Sequence, residues 1–179
     1  VPIVDDNVDE PAETVGLTLS APSGAGLGSP GTATLTIQDD EVQPTVQFSS
    51  ATYNVGENAG PATITVTLSG LSASTVTVAY ATSPGSATAG SDYTATSGTL
   101  SFAPLEIAKS FNVPIINDTI DEPVENLGLS LSLPANATLG SPSRATLFIF
   151  DDDDPPTVTI TSPLDGATVL ASVDIVADA

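Results

Sequence analysis

The sequence predicts an all-β protein, an immunoglobulin-like antiparallel β-sandwich present as tandem repeats. Three observations lead to this fold class. Apolar residues alternate with threonine and serine at a period of two in many short segments. Glycine, proline, serine and asparagine separate these segments. No window of useful length shows the 3.6-residue apolar period of an amphipathic helix, so strands are expected throughout.

Seven or eight short strands are predicted between residues 45 and 150, as many as one sandwich of two sheets requires. Each is rich in β-branched or apolar residues and is followed by residues that favour turns. In chain order they are TVQF (45–48), TYNV (52–55), ATITVTL (62–68), TVTVAYA (75–81), GTLSF (98–102), KSFNVPI (109–115), LGLSLSL (127–133) and RATLFIF (144–150).

The chain repeats itself with a period of about 112 residues. Residues 1–48 align with residues 113–160 without a gap, and 27 of the 48 positions are identical. A period of this length corresponds to one domain and not to one turn of a solenoid.

Three segments are therefore expected: the C-terminal half of one repeat at 1–42, a complete repeat at 43–155, and the first strands of another domain at 156–179. The last segment is predicted to form two strands around a turn at Asp165 and Gly166. Half a sandwich leaves open sheet edges and an uncovered apolar face. The chain is thus expected to be an excerpt from a longer array, or to have its end segments completed by neighbouring copies.

The composition excludes several classes of function. The chain has 22 acidic residues against two basic ones, Lys109 and Arg144, for a formal net charge of −20. It offers almost no positive surface to nucleic acid or to anionic lipid. Histidine and cysteine are absent, which excludes a Ser-His-Asp triad, a thiol nucleophile and an ordinary zinc site. No apolar run approaches the roughly 20 residues that span a bilayer, so no membrane insertion is expected.

The acidic residues are concentrated in loops, while the strands between them are nearly uncharged. Sixteen of the 22 lie in four short runs: Asp5, Asp6, Asp9, Glu10 and Glu13; Asp39, Asp40 and Glu41; Asp118, Asp121, Glu122 and Glu125; and Asp151 to Asp154.

A single acidic run is most simply a solvated turn, and that interpretation stays open for any one of the four. The runs nevertheless form two matching pairs, one pair in each repeat. Two strands joined by a turn separate the runs of a pair, which returns the chain to the same end of the sandwich. Unit charges 4 Å apart repel by about 4 kcal/mol at an effective dielectric near 20. Oxygen ligands alone favour Ca²⁺ or Mg²⁺, and irregular loops favour Ca²⁺.

Three longer motifs resemble the Calx-β domain family. They are YNVGENAGPATITVTLSG (53–70), GSDYTATSGTLSFAPLEIAKSFNVPIINDTIDEPVENLGLSLSLP (90–134) and ATLFIFDDDD (145–154). The resemblance covers the whole of 43–155 and all of 1–42. It implies an immunoglobulin-like sandwich that binds several Ca²⁺ ions at one end, as in sodium–calcium exchangers, integrin β4 and large surface proteins.

The resemblance also implies which residues bind the ions. In the complete repeat these are Glu57, Asp92, Asn117, Asp118, the Ile120 carbonyl, Glu122, Glu125, Asp151, Asp152 and Asp153. The partial repeat retains Asp5, Asp6, the Val8 carbonyl, Glu10, Glu13, Asp39, Asp40 and Glu41. Because Asn117 stands where the first copy has Asp5, it offers an oxygen without a charge. One ion of the complete cluster is therefore expected to bind weakly or to be missing.

Residues 155–179 resemble the opening of a bacterial immunoglobulin-like repeat, which points to a bacterial source. The favoured function is a calcium-stiffened structural module of a long extracellular or cell-surface protein, such as an adhesin or fibre. Its expected partners are neighbouring repeats and, in a fibre, other copies. The alternative is a regulatory calcium sensor controlling an attached effector. Catalysis is not expected, since three tyrosines and five phenylalanines offer few sugar-binding platforms for a glycosidase.

Overall fold

Residues 1–42 form a short strand and a hairpin. The structure is a computed structural model that describes residues 1–162, 166, 168 and 176–178. The first elements are β1 (Val8–Asp9), β2 (Glu13–Thr18) and β3 (Thr32–Ile37). β2 and β3 pair antiparallel, with Val15 opposite Leu35.

Residues 43–155 contain ten strands and one short 3₁₀ turn, Glu57–Ala59. The strands are β4 (Thr45–Phe48), β5 (Thr52–Gly56), β6 (Ala62–Leu68), β7 (Leu71–Ser72), β8 (Val76–Pro84), β9 (Ser97–Phe102), β10 (Ala108–Val113), β11 (Glu125–Ala135), β12 (Thr138–Leu139) and β13 (Arg144–Phe150).

Nine of these strands form two sheets that face each other. The four-stranded sheet has the order β10-β6-β4-β12, and the five-stranded sheet has the order β5-β13-β11-β8-β9. Phe48 and Ile64 of the first sheet and Leu127 and Leu147 of the second are fully buried in one hydrophobic core. Strand β6 alternates buried and more exposed residues, as the period-two pattern requires. The predicted all-β sandwich is confirmed.

Two of the strand pairs in the sandwich are parallel, although an antiparallel sandwich was predicted. β5 pairs parallel with β13, and β12 pairs parallel with β4. The chain crosses from one sheet to the other between β4 and β5, so β5 enters beside the last strand in the same direction. β7 and β12 were not predicted, because two residues are too few to show a period.

The hairpin of the partial repeat exposes apolar side chains that the complete repeat buries. Leu17 and Leu35 are 40% and 36% exposed, whereas their copies Leu129 and Leu147 are 2% and 0% exposed. In the complete repeat, β8 and β5 flank these strands within the same sheet, and the opposite sheet covers the leucine side chains. The hairpin thus presents the inner face of a sandwich.

Beyond residue 155, β14 (Thr159–Ser162) pairs antiparallel with β15 (Val176–Asp178). Two strands were predicted in this segment. Asp165, half of the predicted turn, lies outside the described residues. Within the described part of the chain, no helix has the length and apolarity needed to cross a membrane.

Candidate metal centre

The acidic loops of the complete repeat meet at one end of the sandwich, because the strands that carry them end there together. Gly56, which precedes Glu57, lies opposite Phe150, which precedes the aspartate run. Glu125 lies opposite Ile149 in the neighbouring pair. The register of the sheet therefore brings together residues far apart in sequence.

Three carboxylates form the first group at this end. Oxygens of Glu57, Asp151 and Asp153 all lie within 4.8 Å of one another. Asp151 Oδ1 and Asp153 Oδ2 are buried and have no hydrogen-bond partner among the residues that the structure describes. A buried anionic oxygen without a donor is strongly unfavourable unless a cation approaches it. This group thus fits a hard cation.

Glu57 is the most deeply buried acidic residue of the group, with 6% of its surface exposed. It opens the 3₁₀ turn, and its Oε1 accepts a hydrogen bond of 2.7 Å from the backbone amide of Asp118. Burial raises the pKa of Glu57, and the charges of Asp118 and Asp151 add to this effect. A single backbone hydrogen bond leaves most of the acceptor sites of this buried carboxylate without a partner.

A second group consists of Asp92, Glu122 and Glu125, whose oxygens also lie within 4.8 Å of one another. The Thr88 amide donates a hydrogen bond to Asp92 Oδ2, which fixes that side chain. Burial raises the pKa of Glu125 to about 7, with further contributions from Asp92, Glu122 and Glu57. Since Glu57 belongs to the first group, the two groups form one continuous acidic centre.

Asp118 lies between the two groups. Its amide binds Glu57, and its Oδ1 accepts a 2.7 Å hydrogen bond from the amide of Ile120. The charge of Asp118 raises the pKa of Glu122 and of Asp153, after the larger effect of burial on each. Asp118 is therefore close to carboxylates of both groups, as a bridging ligand must be.

Three further predicted ligands of the complete repeat lie outside the two groups. Asn117 is exposed, and its Nδ2 donates to the Asp118 carbonyl at 3.0 Å. Asp152 is exposed and accepts a 2.6 Å hydrogen bond from Asn58 Nδ2. Ile120 is 60% exposed. The role of these three as ligands stays a prediction.

Asn58 was missed by the sequence analysis. It anchors Asp152 and so connects the 3₁₀ turn with the aspartate run. Its position directly after Glu57 in VGEN was the one signal in the sequence, since an asparagine side chain carries two hydrogen-bond donors.

The corresponding acidic loops of the partial repeat also lie close together. Asp5, Asp40 and Glu41 bring oxygens within 4.8 Å of one another. Asp6 Oδ1 accepts a 2.8 Å hydrogen bond from the Val8 amide, which reproduces the Asp118 and Ile120 contact. Of the other predicted ligands of this repeat, Glu10, Glu13 and Asp39 line one pocket together with that group, whereas Val8 is not among the lining residues. The role of the Val8 carbonyl as a ligand stays a prediction.

Comparison with known proteins identifies the family of this chain. The family model described as Calx-beta domain matches residues 1–41 and 39–153. The chain belongs to the Calx-beta family. The resemblance stated from the sequence is thus confirmed for the repeats, whereas the bacterial immunoglobulin-like resemblance of residues 155–179 stays a prediction.

Similar Calx-beta chains come from large proteins. FRAS1-related extracellular matrix protein 2 of Homo sapiens is 37% identical over 158 residues, which cover 83% of this chain and 5% of that protein. Sodium/calcium exchanger 1 of Canis lupus familiaris is 42% identical over 125 residues, which cover 59% of this chain and 13% of the exchanger. This chain therefore spans only a small part of the relatives it matches.

Solved Calx-beta domains share the fold. The apo-form Calx CBD1 domain superposes with a TM-score of 0.60 at 32% identity, covering 63% of this chain and all of that domain. The calcium binding domain CBD12 of CALX1.1 gives a TM-score of 0.60 at 31% identity, covering 65% of this chain and 50% of the other.

The metal-free Calx-beta chain is expected to lose stability as the pH rises from 4.5 to about 7. The pKa of Glu125 is 4.5 in an unfolded chain and about 7 in the folded one. The folded state therefore keeps a proton that the unfolded state has released, and this contribution is complete below pH 4.5 and lost by about pH 7. Thermal melts in excess chelator across this range measure the effect.

The matched control for this pH effect is Glu125→Gln, which cannot titrate and should flatten the dependence. A melting temperature of the metal-free chain that rises over this range would show that loss of the proton from Glu125 does not destabilise the folded state.

Proposed function

We propose that this chain is a calcium-binding structural module of a long extracellular or cell-surface protein, such as an adhesin or fibre. The observation that carries the proposal is the pair of buried, unpartnered oxygens of Asp151 and Asp153 beside Glu57, among the residues that the structure describes. The three side chains offer only carboxylate oxygens as metal ligands, which favours Ca²⁺ over softer metals. The calcium binding domain among the similar structures supports the same ion.

Calcium in this position stiffens both the domain and its junction with the C-terminal segment. The ion cancels repulsion among carboxylates from several loops and so ties the ends of β5, β11 and β13 together. The run Asp151 to Asp154 leads directly into Pro155 and Pro156, whose rings restrict the backbone at the junction. The module is proposed to act without catalysis, with neighbouring repeats or other copies as its partners.

The extracellular setting is supported by the matrix proteins among the similar chains. Millimolar external calcium makes weak sites sufficient, since a tenfold excess over a Kd of about 10⁻⁴ M stabilises by roughly 1.4 kcal/mol per site. The sequence of residues 155–179 supports a bacterial surface protein as the source. Regulation of an effector is the second candidate, favoured by the identity with sodium/calcium exchanger 1.

A calcium titration followed by small-angle X-ray scattering separates the two roles. A structural module should half-saturate at about 10⁻⁴ to 10⁻³ M, the range of extracellular calcium modules, and its overall dimensions should change little. Half-saturation at about 10⁻⁷ to 10⁻⁵ M, the sensor range, together with a switch between two shapes would contradict the structural role.

A further inference from the structure

The acidic loop of the partial repeat is paired with the complete repeat. β1 (Val8–Asp9) runs parallel to β7, with Val8 opposite Leu71 and Asp9 opposite Ser72. The Ala73 amide donates a 3.0 Å hydrogen bond to the Asp9 carbonyl, and Ser72 Oγ donates one of 3.3 Å to Asp9 Oδ2. Asp9 is thus held through both its backbone and its side chain.

Ser72 is buried and held in place by hydrogen bonds from its own repeat. It is 3% exposed, and its carbonyl accepts a 2.9 Å hydrogen bond from the Leu105 amide. The Ser74 amide donates to Ser72 Oγ at 3.1 Å. Because the hydroxyl oxygen already accepts one hydrogen bond, its proton is free to point at Asp9.

The receiving edge lies at the end of the sandwich away from its own acidic centre. β6 runs from Ala62, which pairs with Val113 beside the acidic loop, to Leu68, which precedes β7. Seven residues of β6 span roughly 23 Å at 3.3 Å per residue. This separation exceeds the Debye length of about 8 Å at physiological ionic strength, so head-to-tail docking keeps the two acidic centres from repelling each other strongly.

We propose that the edge formed by Leu71, Ser72 and Ala73 is the docking site for the acidic loop of the preceding repeat, and that Asp9 holds the loop in register. The inference goes beyond calcium binding, since Asp9 is outside the predicted ligand set. Its copy in the complete repeat, Asp121, is exposed and provides a matched control.

Distance measurements between the two repeats test this docking. The chain has no cysteine, so Thr34→Cys in β3 and Thr99→Cys in β9 create the sole two label sites, both at exposed positions. Pulsed electron paramagnetic resonance on the full chain in calcium should give one narrow distance. Asp9→Ala and Ala73→Pro, which removes the donor amide, should each lose that narrow distance, whereas Asp121→Ala should keep it.

Calcium affinity, measured on the same variants by calorimetry, separates docking from metal binding. Asp9→Ala should bind calcium as the parent does. The proposal is overturned if Asp9→Ala and Ala73→Pro both keep the narrow distance, if Asp121→Ala broadens it equally, or if Asp9→Ala loses calcium from the partial repeat alone. Each of these results leaves the proposed calcium centre around Glu57 untouched.

Discussion

Removing calcium with excess chelator is expected to lower the melting temperature of the chain markedly, and adding calcium should restore it. One ion at 100-fold excess over Kd contributes roughly 2.7 kcal/mol. For a domain near 100 residues, 1 kcal/mol corresponds to a shift of about 4–8 °C, so one site is worth on the order of 10 °C. Differential scanning calorimetry of the full chain measures this shift.

The effect of calcium should shrink in a variant that neutralises one of the three carboxylates of the first group. Asp153→Asn removes a buried charge that has no partner among the described residues, so the metal-free chain should melt higher and respond less to calcium. Asp154→Asn is the matched control, since Asp154 is the exposed neighbour and lies outside the group. A melting curve that excess chelator leaves unchanged would refute the assignment of a site.

Asp118→Ala and Glu122→Ala should weaken calcium binding far more than Glu106→Ala. Asp118 lies between the two acidic groups, and Glu122 belongs to one of them. Loss of a charged ligand is expected to weaken binding at least about tenfold, equivalent to roughly 1.4 kcal/mol. Isothermal titration calorimetry at neutral pH compares the variants.

Glu106 is a suitable control because it is acidic but contacts residues outside the acidic centre. It forms an ion pair with Lys109 at 2.8 Å and accepts a hydrogen bond from the Ala103 amide. The hydrogen bond with Lys109 lowers the pKa of Glu106, in contrast to the raised pKa of Glu122. Equal losses of affinity in all three variants would mean that general acidity, and no defined centre, attracts the ion.

Much of the fold was predictable because burial on alternate positions leaves a visible pattern. The strands 62–68 and 144–150 were predicted with the bounds that β6 and β13 have. The two-residue strands β7 and β12 leave no such pattern. The docking of Val8 and Asp9 on β7 was missed for the same reason, since two paired residues carry no period.

The centre was predictable at the level of loops and less so at the level of side chains. Acidic runs at both ends of β-hairpins identify the end of the sandwich, and the Calx-β resemblance pointed to Glu57 and Asp92. The sequence did not separate Asp152 from its neighbours. Along the run Asp151 to Asp154 the residues alternate between half-buried and exposed, which depends on local backbone geometry.

The central claim is that this acidic centre binds calcium. Isothermal titration calorimetry of the unmodified, metal-free chain with calcium tests it most directly. Saturable binding is expected, and it should release protons near pH 7, because the pKa of Glu125 is about 7 before the ion binds. The heat of binding should therefore depend on the ionisation enthalpy of the buffer. Heats no larger than those of dilution, in every buffer, would contradict the account.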